Sequence, residues 1–326
     1  MKRLAIYLLM LLCITGVSAQ GPLTLADINI RDPFIYADAA TKTYYMYSSA
    51  TGAKIDPSSR SVRGGVIVYK SKDLKHWSEA KTVMTLPDDN WITGKVWAPE
   101  MHAYKGKYYL FATINTHLVW KGGKNNGVPY TYRGTQIFHA DSPEGPFHAF
   151  DDKMPATPID EMALDGTLWE EDGQPYLIYC HEWVEVNDGA IKIRPLEKDL
   201  SKPMGAPTRL FCASAAEWVT KKETMVTDGC FLYRNAAGKL LMIWSSFTEQ
   251  GYAVGYARST TGKLLGPWEH QQEPFYRKHG GHAMIFKSFD NKLHMILHAP
   301  NSPSGAERAV IIDIEDTEDG IRATRP

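Results

Sequence analysis

One unit of sequence comes round five times, and that recurrence leaves the chain few folds to adopt. Each copy opens on a short apolar strand, turns at Gly or Asn beside Lys, runs into an aromatic strand and continues into a third strand. The first copy reads Asp32-Pro33-Phe34-Ile35-Tyr36, then Tyr44 to Tyr47, then Gly65 to Tyr69, closing at His76-Trp77. The second runs from Trp97-Ala98-Pro99-Glu100 through Tyr108 to Phe111 and Gln136 to Phe138, closing at Gly145-Pro146-Phe147. The later copies open at Asp165, Asp228 and His282, and the fourth closes at Gly266-Pro267-Trp268. No apolar pattern of helical period is long enough for a major helix. Five strand units spaced by about 54 to 68 residues predict an all-β chain folded as a five-bladed β-propeller. A β-sandwich does not require the same strand order five times. In a propeller the first strand of every blade lines a central channel, so the five openings converge on one funnel.

The remaining composition narrows the partners. Lys and Arg number 36 against 37 Asp and Glu, with no dense basic run, which argues against nucleic acid. Aromatic residues make up 11 %, a content suited to β-blades and sugar-facing clefts. Lys2 and Arg3, an apolar run over Leu4 to Val17 and the small residues Ser18 and Ala19 read as a signal peptide over residues 1–19. The propeller domain then occupies 20–326, in an exported protein that is periplasmic or secreted and has no membrane span once processed. A lipoprotein reading through Cys13 is disfavoured by the bulky Leu12 before it. The other cysteines, Cys180, Cys212 and Cys230, have no C-x-x-C spacing; they exclude a thiolate zinc site and permit one disulfide at most.

Four of the five openings carry a titratable residue: Asp32, Asp165, Asp228 and His282. The fifth is Trp97, with Glu100 three residues on. A single Asp at a strand start is ordinarily a turn or cap residue. Three in separate blades, gathered in one pocket, would repel one another and raise at least one pKa, as an acid and base pair needs.

These segments resemble the family 43 glycoside hydrolases, five-bladed propellers that attack arabinose- and xylose-containing polysaccharides. Arg31-Asp32-Pro33-Phe34-Ile35 is similar to the catalytic-base motif, and Trp97-Ala98-Pro99-Glu100 to the second-blade signature. Ala163-Leu164-Asp165-Gly166, with Asp172 to Leu177, is similar to the segment whose Asp tunes and orients the acid. Gly280-Gly281-His282 resembles the fifth-blade His, which sits near a metal or water, so the resemblance implies a channel Ca²⁺ reached from His282 through water and no required cofactor. The family's acid is a Glu followed by Gly-Pro, whereas Thr227-Asp228-Gly229-Cys230 stands here. Asp228 is the expected acid, with Glu223 and Glu182 as rival donors. The implied reaction is single-step hydrolysis with inversion, which needs acid and base roughly 6.5 to 9.5 Å apart. Trp97, Glu100, Phe34, His282 and Arg308 are the candidate substrate contacts. Trp244 is expected in the blade core, and Trp120 to Gly127 as a loop able to rim the cleft. A propeller acting on galactofuranosides or galactan, or one that binds glycans without cleaving them, is the alternative. The expected partner is an oligosaccharide or polysaccharide, bound by a monomer.

Overall fold

The computed structural model describes residues 21–51, 64–125 and 127–324. Five antiparallel four-stranded meanders follow one another along the chain. Blade 1 holds β1 (Phe34–Asp38), β2 (Thr43–Thr51), β3 (Gly64–Ser71) and β4 (Lys81–Thr85). Blade 2 holds β5 (Lys95–Tyr104), β6 (Lys107–Asn125), β7 (Val128–Ala140) and β8 (His148–Ala149). Blade 3 holds β9 (Ala163–Glu171), β10 (Gln174–His181), β11 (Ala190–Pro195) and β12 (Thr208–Cys212). Blade 4 holds β13 (Asp228–Arg234), β14 (Leu240–Thr248), β15 (Gly251–Ser259) and β16 (Trp268–His270). Blade 5 holds β17 (Gly281–Lys287), β18 (Leu293–Ala299), β19 (Arg308–Asp316) and β20 (Ile321–Ala323). The first strands β1, β5, β9, β13 and β17 neighbour one another in a closed ring. The expected five-bladed propeller is therefore the fold. The only helices among the described residues are α1 (Trp183–Val186) and one 3₁₀ turn at Ala213–Ala215.

Burial explains the strand sequences. The middle strands are covered on both faces by adjoining blades, so β14 reads Leu-Leu-Met-Ile-Trp with every one of those residues buried. Trp244 lies wholly inside, against Trp218 with ring centroids 4.7 Å apart. The outer strand β4 is buried only at its centre, Val83 and Met84, and is exposed at both ends. His76-Trp77 is not part of this outer strand. Trp77 pairs with Leu23 by two backbone hydrogen bonds of 3.0 and 2.8 Å, and the outer strand starts at Lys81.

Among the described residues no strand is exchanged between the first and last blades. The ring is closed by side-chain packing and by segment 22–31, which runs from Trp77 to the loop before β19. There Ile30 N donates to Glu307 O at 3.2 Å, and the Asn29 amide donates to Gly305 O at 2.9 Å. Cys180, Cys212 and Cys230 are free thiols. The signal-peptide segment 1–19 lies outside the described residues. No helix among the described residues is long and apolar enough to cross a membrane.

One local device recurs in all five blades. Near the start of each innermost strand a single residue takes a left-handed backbone: Asp32 (φ 51°), Ala98 (φ 40°), Asp165 (φ 54°), Gly229 (φ 54°) and His282 (φ 55°). In blades 2 to 5 the pairing register slips at the same point, the signature of a β-bulge. The bulge re-aims two consecutive side chains toward the channel mouth. Asp228 belongs to the residue before the left-handed one, like Arg31, Trp97 and Leu164, so it is not the structural equivalent of Asp32 and Asp165. Gly229 is. A Cβ there would sit 2.7 Å from the His282 ring and 2.8 Å from its Cα, which only glycine avoids.

Candidate active site

At the end of the channel where the first strands begin lies a cavity of about 530 Å³. Its wall includes Arg31, Asp32, Trp97, Asp165, Glu182, Trp183, Asp228 and Tyr252. At its floor one imidazole nitrogen gathers three carboxylates from three blades. His282 Nδ1 lies 3.3 Å from Asp32 Oδ1, 3.6 Å from Asp228 Oδ1 and 3.8 Å from Asp165 Oδ2. The His282 backbone N–H is fixed on Ser245 Oγ at 2.9 Å.

Electrostatics divide the groups. Burial opposes a charge on His282, but Asp32 and Asp228 outweigh it and raise its pKa to about 9, leaving a cation at neutral pH. Burial also opposes ionisation of Asp32. His282, the His298 imidazole with its Nδ1 3.1 Å from Asp32 Oδ1, and Arg31 reverse that, holding Asp32 below the ordinary carboxylate range. Asp165 goes the other way: burial, then the charge of Asp228, drives it well above its usual value. Its Oδ2 accepts the Gly229 N–H at 3.1 Å, and its own N–H is held by Thr113 Oγ1 at 2.9 Å. Asp228 is lowered despite burial, because Asp165 and His282 hydrogen-bond to it and the Tyr252 hydroxyl donates to its Oδ2. The pair thus holds one proton, which rests on Asp165 (side chain 4 % exposed) while Asp228 (25 %) faces the cavity.

Asp32 Oδ1 and Asp228 Oδ1 can be no farther apart than the sum of their distances to His282 Nδ1. That upper limit only just enters the ~6.5–9.5 Å expected for inversion, so these two oxygens stand at or below the low end of that range.

Opposite stands Glu182, whose carboxylate is bound by the Arg133 guanidinium, itself 5.1 Å over the Trp97 ring. Burial raises the pKa of Glu182 against the pull of Arg133. Glu223, the other rival donor, is exposed on a turn and does not line the cavity. Three expected contacts lie elsewhere. Phe34 is buried beneath the mouth, edge-on to His102 and Phe231 at 5.3 and 6.3 Å, because its side chain falls on the inter-blade face of β1. Glu100 is buried against His102 Nε2 at 3.2 Å, past the bulge of β5 and outside the cavity wall. Arg308 spends its guanidinium on Ala26 O at 2.7 Å and Glu307 O at 2.8 Å, tying down the N-terminal segment.

Tyr252 and His298 escaped a reading based on strand starts, whereas Glu182 was already a rival donor. In a meander the second strand ends, and the third begins, at the mouth as well. Glu182 follows β10, Tyr252 begins β15 opposite Phe247, and His298, wholly buried, lies near the end of β18. Asp165, Asp228 and His282 offer ligand atoms within 4.8 Å of one another. Calcium favours six to eight oxygens, whereas this set supplies two carboxylates around an imidazole already held as a cation. The set does not fit calcium as a direct ligand shell, and no step below passes through a metal.

Fold and site together define a propeller with an acid-lined, aromatic-walled cleft. The model of Glycosyl hydrolases family 43 matches residues 26–321, and the chain belongs to that family. It is 36 % identical to the endo-arabinase structure from Bacteroides thetaiotaomicron VPI-5482, with a TM-score of 0.77 over 92 % of this chain and 99 % of that one. It is 24 % identical over 162 residues to extracellular endo-alpha-(1->5)-L-arabinanase 1 of Bacillus subtilis, covering 44 % of this chain and 42 % of the relative. It is 28 % identical over 214 residues to a putative beta-xylosidase of Escherichia coli, covering 63 % and 35 %. The match spans less than half the length of either curated relative.

Proposed function

We propose that the chain is an exported glycoside hydrolase that cleaves arabinose- or xylose-containing glycans by single displacement with inversion. The observation that carries this reading is the meeting of Asp32, Asp165 and Asp228 around His282 Nδ1 inside an aromatic-walled cavity. Family membership and the names of the arabinanase and xylosidase relatives support the substrate class. The apolar segment before Ala19 supports export.

Asp32, ionised by its basic neighbours, takes a proton from water as the water oxygen bonds to the anomeric carbon. The glycosidic C–O bond breaks on the opposite face. Its electron pair goes to the leaving oxygen, which receives the proton held by the carboxylate pair. Asp165 is the deeper member of the pair, so the proton passes through Asp228, the member more open to the cavity. The imidazolium of His282 fixes both carboxylates and offsets their repulsion.

Hydrolysis of linear arabinan, arabinoxylan and aryl pentosides, followed by NMR at early times, tests the reading. The expected first product has inverted configuration, and Asp32→Asn slows turnover by ~10²- to 10⁴-fold while the fold persists. A retained first product overturns single displacement, and wild-type turnover in Asp32→Asn places the base elsewhere.

A further inference from the structure

Blade 2 departs from the others in the length of its middle strands. β6 runs for 19 residues and β7 for 13, whereas β14 and β15 of blade 4 have 9 each. Beyond the pair Asn115↔Arg133 the two strands continue as a twisted, bulged hairpin arm. The expected loop at Trp120 to Gly127 is this arm.

The arm is pinned beside the cavity rather than free. Lys121 Nζ bonds Glu185 Oε1 at 2.5 Å, and the Asn125 amide donates to Trp183 O at 3.2 Å and Asn187 Oδ1 at 2.9 Å. Trp183 lines the cavity, and Arg133 at the base of the arm binds Glu182 in its wall. The arm therefore prolongs one side of the cleft outward.

Its surface is unlike that of an ordinary solvent hairpin. Trp120 and Tyr132 lie 5.9 Å apart, with the Lys121 ammonium 4.3 Å over Trp120 and 5.1 Å over Tyr130. Leu118 and Val119 are 60 % and 58 % exposed. Apolar groups kept at the surface in this density mark an interaction site. Half-exposed flat rings interleaved with an amine and an amide suit a ligand with apolar ring faces and a rim of hydroxyls.

We propose that the arm, residues 115–125 and 127–133, is an accessory platform that holds the glycan chain outside the cavity, its ligand a pentose-rich oligosaccharide or polysaccharide. The proposal rests on the hydrolase reading above. It commits to a glycan because the arm is continuous with the candidate cleft through Arg133, Glu182 and Trp183.

The test compares wild type, Trp120→Ala, Trp120→Phe and Tyr130→Ser. The readout is the ratio of kcat/KM for a linear arabinohexaose or xylohexaose to that for the matching aryl glycoside. Loss of one aromatic anchor should lower this ratio about fivefold to tenfold, and Trp120→Phe should restore most of it. A second readout needs no turnover. With Asp32→Asn as background, mobility in native gels containing linear arabinan or arabinoxylan should be retarded, and Trp120→Ala should relieve the retardation.

If wild type cleaves no glycan yet Trp120→Ala still relieves retardation, the platform stands and the hydrolase reading falls. If wild type cleaves glycans but neither ratio nor retardation changes in the Trp120 and Tyr130 variants, the platform is overturned. A dimer in sedimentation that Trp120→Ala converts to monomer, with the ratio unchanged, makes the arm a contact between copies and also overturns it. Tyr130→Ser serves if Trp120→Ala does not fold.

Discussion

Asp165 and Asp228 present the central question at the scale of single residues, because the two adjacent carboxylates are shifted in opposite directions and the one raised, Asp165, is the less exposed of the two. Proton delivery through Asp228 requires that the Tyr252 hydroxyl and the His282 imidazolium yield as the leaving oxygen builds charge. If that route operates, Asp228→Asn cripples substrates with poor leaving groups and spares activated aryl glycosides, whose leaving group departs unaided. Glu182→Gln is the contrast. It lines the same cavity with its pKa raised by burial, yet one oxygen is committed to Arg133, so it should weaken both substrate types alike. Leaving-group dependence in Glu182→Gln, with a uniform loss in Asp228→Asn, transfers the proton donor to Glu182.

Between blades 3 and 4, the packing of β12 against β14 and β16 shows how a strand tolerates a polar residue in an apolar layer. His270 lies edge-on to Phe211 at 4.6 Å and to Trp244 at 5.7 Å, and neither ring nitrogen has a hydrogen-bond partner among the described residues. Burial lowers its pKa from the ordinary 6.5 to about 4. Between those values the unfolded chain takes up a proton that the folded chain refuses. The stability this residue permits is whole above about pH 6.5 and falls as pH drops toward 4. His270→Phe should therefore gain on wild type as pH is lowered from 7.5 to 5, read as a widening difference in urea midpoints. An unchanged difference would show that His270 does not titrate in this range. Element order was legible in the sequence because inner strands covered on both faces leave continuous apolar runs, as in Leu240 to Trp244. Tyr252 and His298 were not, since they come to the site by strand direction, a property of the meander that no local pattern carries. The bulge was equally silent: Asp228 and Asp165 look alike in sequence, and only the register slip separates them by one position.

Across the whole molecule, each sheet is a contiguous piece of chain, so the join between blades 5 and 1 depends on segment 22–31. Glu307 is its anchor, accepting from Arg31 at 3.0 Å and from the Gly305 N–H at 2.6 Å, with the Asn29 amide at 3.4 Å. Glu307→Ala takes the carboxylate acceptor from the Gly305 N–H, while Arg31 and Asn29 keep their bonds to Asn301 and Gly305, and should lower unfolding stability by about 1–2 kcal/mol in chemical denaturation. A variant as stable as wild type would show that packing of the first strands alone closes the ring.

The fivefold left-handed position has a meaning for how such a molecule changes its chemistry. It amounts to five sockets facing one axis, three fitted with Asp32, Asp165 and His282 and two blanked by Ala98 and Gly229. The backbone at each socket is bent already, whatever residue occupies it, at a cost of order 1–3 kcal/mol for a side chain other than glycine. Refitting a socket therefore alters charge at the axis without disturbing a strand, except at Gly229, where the His282 ring bars any Cβ. The frame is a turret whose fittings, and not its strands, set the charge on the axis.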